Sequence, residues 1–128
     1  MDNGKWIMEK GNNIIKNKSY SFAIRIVNLY KYLNENNNIY SLANQILRSG
    51  TAIGALMSEA DHAQSKADFL SKANIALKEA NETYYWLSLL HDTNYINDSQ
   101  YQSLKVDCEE LIKVLVTIVK TTKERLNK

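Results

Sequence analysis

The stretch Leu42–Ala60, LANQILRSGTAIGALMSEA, decides the fold. Leu42, Ile46, Ser49, Ile53, Leu56 and Ala60 recur at alternating spacings of four and three, which is the stripe one helix presents to another along its length. Gly50 and Gly54 lie inside the same helix, and each costs about 1 kcal/mol relative to alanine in an exposed helix. Something must offset that cost. The two glycines share a face with Ala43, and Ser49, Ala52 and Ala55 keep the surface beside them low. A close neighbour is therefore expected there, with Phe22, Tyr84 or Trp86 of a neighbouring subunit as the bulky guest.

Working outward, the same spacing recurs in three further segments. Ile15, Ser19, Phe22, Ile26, Leu29 and Leu33 define a first helix from about Asn13 to Glu35, and the asparagines from Asn34 to Asn38 interrupt it. Ser41 is the expected N-cap of the second helix, which ends near Asp61. Ser65, followed by Asp68, resembles a capping box for the third helix. That helix carries the seam Leu70, Ala73, Leu77, Ala80, Tyr84, Leu87 and His91 to about Asp92, flanked by Phe69, Ala76, Thr83 and Leu90. Asn97 or Asp98 caps a fourth helix with the seam Tyr101, Leu104, Cys108, Leu111, Leu115 and Ile118. Four amphipathic helices with short links predict an all-α, up-down-up-down antiparallel four-helix bundle over residues 13–128, preceded by an N-terminal arm at 1–12.

Composition excludes several classes. The 128 residues suit one domain, and the absence of proline with only four glycines fits helices joined by few tight turns. Sixteen basic and fourteen acidic side chains leave a formal charge of +2, too small to announce a nucleic-acid binder by itself. One cysteine and no recognisable leader predict a cytoplasmic setting, and the apolar run Leu111–Val119, interrupted by Lys113, predicts no membrane span.

Little here points to catalysis. Glu59 and His62 have the Glu-x-x-His spacing of di-iron bundles, but the second such pair is missing, so no metal is expected. Cys108 lies on a core seam with no histidine placed to activate it. No phosphate loop or nucleophile motif is present, so the expectation is a non-enzyme without a cofactor.

Charge placement says more than net charge. Lys113, Lys120, Lys123 and Arg125 close the chain, and Lys10, Lys16 and Lys18 sit near its start. An antiparallel bundle gathers both segments into one basic pole, the candidate nucleic-acid contact. If the second and third helices pair about their turn, Arg48 lies level with Glu79, with Glu82 one turn on, which predicts a structural ion pair. The consecutive Tyr84, Tyr85 and Trp86 must point around the third helix, so they are candidates for an oligomer interface.

The runs KSYSFAIRIVNLYKYL (Lys18–Leu33), QILRSGTAIGALMSEA (Gln45–Ala60) and KADFLSKANIALKEANETYYWLSLL (Lys66–Leu90) resemble the four-helix-bundle family of 23S ribosomal RNA intervening-sequence proteins. Arg48-Ser49-Gly50, Ile53-Gly54-Ala55, Lys78-Glu79-Ala80 and Trp86-Leu87 carry the likeness. The resemblance implies a small bacterial protein, related to accessory proteins of reverse transcriptases in retroelements. It further implies a ring-shaped homo-oligomer, with a pentamer as the expected form, and contact with RNA or DNA or with a polymerase or other protein.

Overall fold

All six seam positions of the first helix, Ile15, Ser19, Phe22, Ile26, Leu29 and Leu33, are buried. The spacing of four and three keeps them on one side of a 3.6-residue turn, and that side faces the other three helices. The computed structural model describes the backbone of residues 3–127 and the side chains of residues 13–127. The elements are α1 (Asn3–Asn37), α2 (Tyr40–Ala60), α3 (Lys66–Asp92) and α4 (Asp98–Leu126). They form an up-down-up-down antiparallel four-helix bundle. Each helix packs on its neighbours in sequence, and α4 closes the square against α1 through the loosest of the four seams. The first helix begins at Asn3, ten residues before its expected start at Asn13.

The links show how each helix is stopped. α1 continues through the asparagine run to Asn37, and Asn38 takes the left-handed conformation at φ 54° that asparagine tolerates better than most residues. The link is thus only two residues long. Ser41 is not the N-cap of α2: the helix starts at Tyr40, Ile39 occupies the cap without a side-chain hydrogen bond, and Ser41 falls inside the first turn. Ser65 does cap α3, its hydroxyl accepting from the Asp68 N–H at 3.0 Å. The Asp68 carboxylate reaches one residue further back than a glutamate would in a capping box, accepting from the Gln64 N–H at 3.3 Å. Asn97 and Gln100 complete a full capping box at the start of α4.

Two faces are rotated from their expected positions. On α2, Ala43, Gly50 and Met57 are buried, while Leu42 and Leu56 are only partly covered. On α3, the expected flank of Phe69, Ala76, Thr83 and Leu90 is buried, and the expected seam residues Leu70, Leu77 and Tyr84 are partly covered. The cause is steric. Small residues at the centre of each stripe let the two backbones approach, and the larger side chains splay to the edges of the contact.

Gly50 admits α1, and neither glycine lies nearest to the aromatic side chains expected from within the chain. A Cβ on Gly50 would lie 2.8 Å from Cγ1 of Ile26, closer than such contacts occur. A Cβ on Gly54 would lie 3.4 Å from the carbonyl oxygen of Ser19. Phe22 and Tyr84 therefore do not account for these positions.

Candidate nucleic-acid interface

Helix α4 builds its outer face from Lys113, Val116, Lys120 and Lys123, all exposed. Residues 113 and 120 are seven apart and so lie above one another on the same side of the helix, roughly 10 Å apart at 1.5 Å per residue. Arg125 is half-buried. Cations in the last turns also suit the negative end of the helix dipole, so the sequence places them there at no electrostatic cost to the fold. Among the described side chains, no carboxylate bonds to Lys113, Lys120, Lys123 or Arg125.

The lysines near the start of α1 are different. Lys16 is paired with Asp61 at the end of α2, and Lys18 with Glu110 on α4. Arg25, one helical stretch further on, binds Asp107 at 2.6 Å and the Ser103 hydroxyl at 2.7 Å. Lys10 lies outside the residues whose side chains are described. Acids from other helices thus offset Lys16 and Lys18, and the expected pole keeps its unpaired described lysines on α4.

The register of α3 on α4 adds one cation that the sequence reading did not single out. Cys108 donates to the Ala80 carbonyl at 3.4 Å, and Ser88 meets Tyr101 at 3.0 Å. Carried along the two helices, that register brings the exposed Lys66, the first residue of α3, beside Lys123. Its own helix terminus is positive, so Lys66 adds to the potential at this end. Antiparallel pairing of α3 and α4 is the signal that would have found it.

A second cluster crosses the α2–α3 seam. Arg48 donates to Glu79 at 2.9 Å and to Glu82, and the Trp86 ring N–H donates to Glu82 at 3.3 Å. Glu79 is 8% exposed while the Arg48 side chain is 55% exposed, so the guanidinium caps a buried carboxylate from the solvent side. Burial raises the Glu79 carboxyl above its usual range against the opposing pull of Arg48. Glu82 is held below the usual range; burial opposes this, and its hydrogen bonds to Trp86 and Glu79, together with the Arg48 charge, outweigh burial. The arrangement ties α2 to α3.

The three consecutive aromatics part company. Tyr84 turns toward α4, where burial and the neighbouring Tyr101 hydroxyl hold its phenol above the usual range. Trp86 is half-buried against the core and donates to Glu82, one turn earlier on the same helix. Tyr85 alone is open, 60% exposed, with its ring edge-on to Trp86 at 5.0 Å.

The remaining candidates for chemistry are occupied by structural contacts. Cys108 is buried among apolar side chains, which pushes its thiol up to about 12, so it stays protonated and weakly nucleophilic near neutral pH. Glu59 faces Lys72 at 3.4 Å and His62 is exposed in the turn. His91 is stacked on Tyr101 at 4.3 Å and bonds Asp98 at 2.6 Å, tying the α3–α4 link. Among the described residues no cluster of three or more potential ligands can hold a metal ion, and no helix is long and apolar enough to cross a membrane.

These features define a class: a small helical bundle in which many polar side chains serve its own seams, with exposed lysines near the end of α4 that meet no carboxylate among the described side chains. The model of the 23S rRNA-intervening sequence protein family matches residues 11–117, and the chain belongs to that family. It is similar to a crystal structure from Bacteroides thetaiotaomicron, described as a protein of unknown function from the S23 ribosomal protein family. Identity is 55% over 86% of this chain and 98% of that one, with a TM-score of 0.84. No curated protein matches the chain significantly.

Proposed function

We propose that the protein is a non-catalytic, self-associating accessory protein that holds RNA or another nucleic acid on the basic end of α4. The observation that carries this reading is the contrast between matched and unmatched cations. Lys16, Lys18, Arg25 and Lys72 each face a carboxylate, whereas Lys113, Lys120 and Lys123 project from one helix end without one among the described side chains. Phosphates supply the missing charge, and membership of a family named for ribosomal RNA intervening sequences is consistent with such a ligand.

Binding of a structured RNA measured over a salt series tests it. Neutralising phosphates releases counterions, so log affinity falls linearly with log salt, and removing three contacts as Lys113→Ala, Lys120→Ala and Lys123→Ala flattens the slope by about 2–3. No binding at low salt, or an unchanged slope in the triple variant, ends the reading.

A structural protein-interaction module is the second reading, favoured by the open ring of Tyr85 and by Ile75, Val106 and Val116, all exposed. Here a protein partner is recovered after nuclease treatment and the triple lysine variant retains it. Light scattering gives the size of the homo-oligomer, with a pentamer as the expected form.

A further inference from the structure

Gly50 and Gly54 are alike in sequence and unlike in space. At Gly50 packing alone excludes a side chain, because Ile26 occupies the place of the Cβ. At Gly54 a Cβ would rest in ordinary contact, 3.4 Å from Ser19, so alanine fits there. Alanine would also be the better helix former. Packing leaves Gly54 unexplained, and what its bare backbone does is floor a groove between α1 and α2.

That groove has a volume of about 690 Å³ and opens to solvent. Ala23, Gly54 and Ala55 keep its bed shallow and apolar, while Tyr20, 70% exposed, stands as one wall. Lys16, Asn17 and Ser58 supply polar groups at its rim, and no carboxylate is among the lining residues. A flat apolar bed and a free aromatic face suit a planar ring, and Lys16, held at the rim by Asp61, is the cation nearest to a phosphate attached to it.

We infer that this groove takes one unpaired nucleobase of an RNA strand, stacked on the Tyr20 ring, with the strand's backbone running across α1 toward Lys113. The inference deepens the nucleic-acid reading above and rests on it. The ion pair of Lys18 with Glu110 sets the α1–α4 register and places Lys113 level with about Ile15, less than two turns from Tyr20. Aromatic stacking is indifferent to base identity, because every base has a π face, while Asn17 and Ser58 offer hydrogen bonds to a base edge. An intact A-form duplex does not fit, since its bases are stacked on one another and its major groove is too deep and narrow for side chains. Lys16 can exchange Asp61 for a phosphate cheaply, because a solvent-accessible ion pair adds little to stability.

The test uses the full chain and a fluorescent single-stranded RNA dodecamer of mixed sequence, with a blunt RNA duplex of the same length as comparison. Tyr20→Ala removes the stacking face, Tyr20→Phe keeps it, and Ala55→Leu fills the bed from an exposed position; circular dichroism melts establish that each variant is folded. Tyr20→Ala and Ala55→Leu are expected to bind the single strand about tenfold more weakly, Tyr20→Phe within about twofold of the parent, and duplex binding to be unchanged in all three. Single-strand affinity that is the same in Tyr20→Ala as in the parent overturns the groove and leaves the α4 strip standing if the lysine triple variant still loses affinity. A parent protein that binds neither RNA overturns both. If Ala55→Leu instead changes the mass in light scattering while RNA affinity holds, the groove is a seam between copies of the chain and the inference falls.

Discussion

The α2–α3 and α1–α4 seams solve the same packing problem with opposite materials. Between α2 and α3, small side chains bring the helices close enough for buried hydroxyls to meet: Thr83 Oγ1 lies 2.9 Å from Ser49 Oγ and 2.8 Å from the Glu79 carbonyl. A hydroxyl has one proton, so Thr83 donates to the carbonyl and accepts from Ser49. Between α1 and α4 the helices meet through larger aliphatics, and their polar bridges, Lys18 to Glu110 and Arg25 to Asp107, lie out in solvent. A groove lined by Lys18, Phe22 and Leu111 runs along that seam. Closeness makes each atom of the first seam costly to change, while the second tolerates substitution.

The largest effect expected is on the approach of α1 to α2, which shares the small-residue face. Gly50→Leu forces a side chain into the space of Ile26 and is expected to cost about 3 kcal/mol or abolish folding, read by denaturant titration. A melt equal to the parent's would show that this contact is slack. Thr83→Val strands the Ser49 hydroxyl in the core and is expected to cost about 1–3 kcal/mol, whereas the double variant with Ser49→Ala recovers most of the loss. Additivity of the two changes would deny the hydrogen bond its role.

Arg48→Ala falls between a buried and an exposed pair, at about 1–2 kcal/mol near pH 7. Its pH dependence follows from the direction of each shift. Glu79 is raised by burial, so near pH 4 it is protonated in the fold and gains little from Arg48; Glu82 is lowered and keeps its charge further into acid. The deficit of Arg48→Ala should therefore shrink as pH falls from 7 to 4. A deficit independent of pH would mean that Arg48 acts by packing alone. Lys18→Ala, on the open seam, should change stability by less than about 0.5 kcal/mol, and a larger loss would erase the contrast between the two seams.

How much of this was legible depends on which property each residue reports. Hydrophobic spacing found the buried face of α1 at every position, since five of its six residues are large and apolar and fix the period that Ser19 falls into. It misplaced the centre of the α3 face, because Ala76 and Thr83 are buried for their small size and a hydrophobic stripe cannot rank smallness. Cap preference chose Ser41 over Ile39, and the left-handed turn at Asn38 overrode it. Helix register was enough to bring Arg48 level with Glu79, and these atoms lie 2.9 Å apart. A run of like charges, however, could not show that Lys16 and Lys18 face acids from distant helices. Nor could it show that Gly54, unlike its neighbour in pattern, sits over an open groove.

The looseness of the α1–α4 seam has a consequence for the order in which the bundle assembles. α1 on α2, α2 on α3 and α3 on α4 are contacts between consecutive helices, which need only short links to close, whereas α4 on α1 joins the two ends of the chain. Contacts distant in sequence are entropically the slowest to form. With exposed bridges to hold it, this seam is also the first to open, so amide hydrogens of α1 and α4 exchange before those of α2 and α3. The end of α4 that carries Lys113, Lys120 and Lys123 then lies on the edge expected to exchange first.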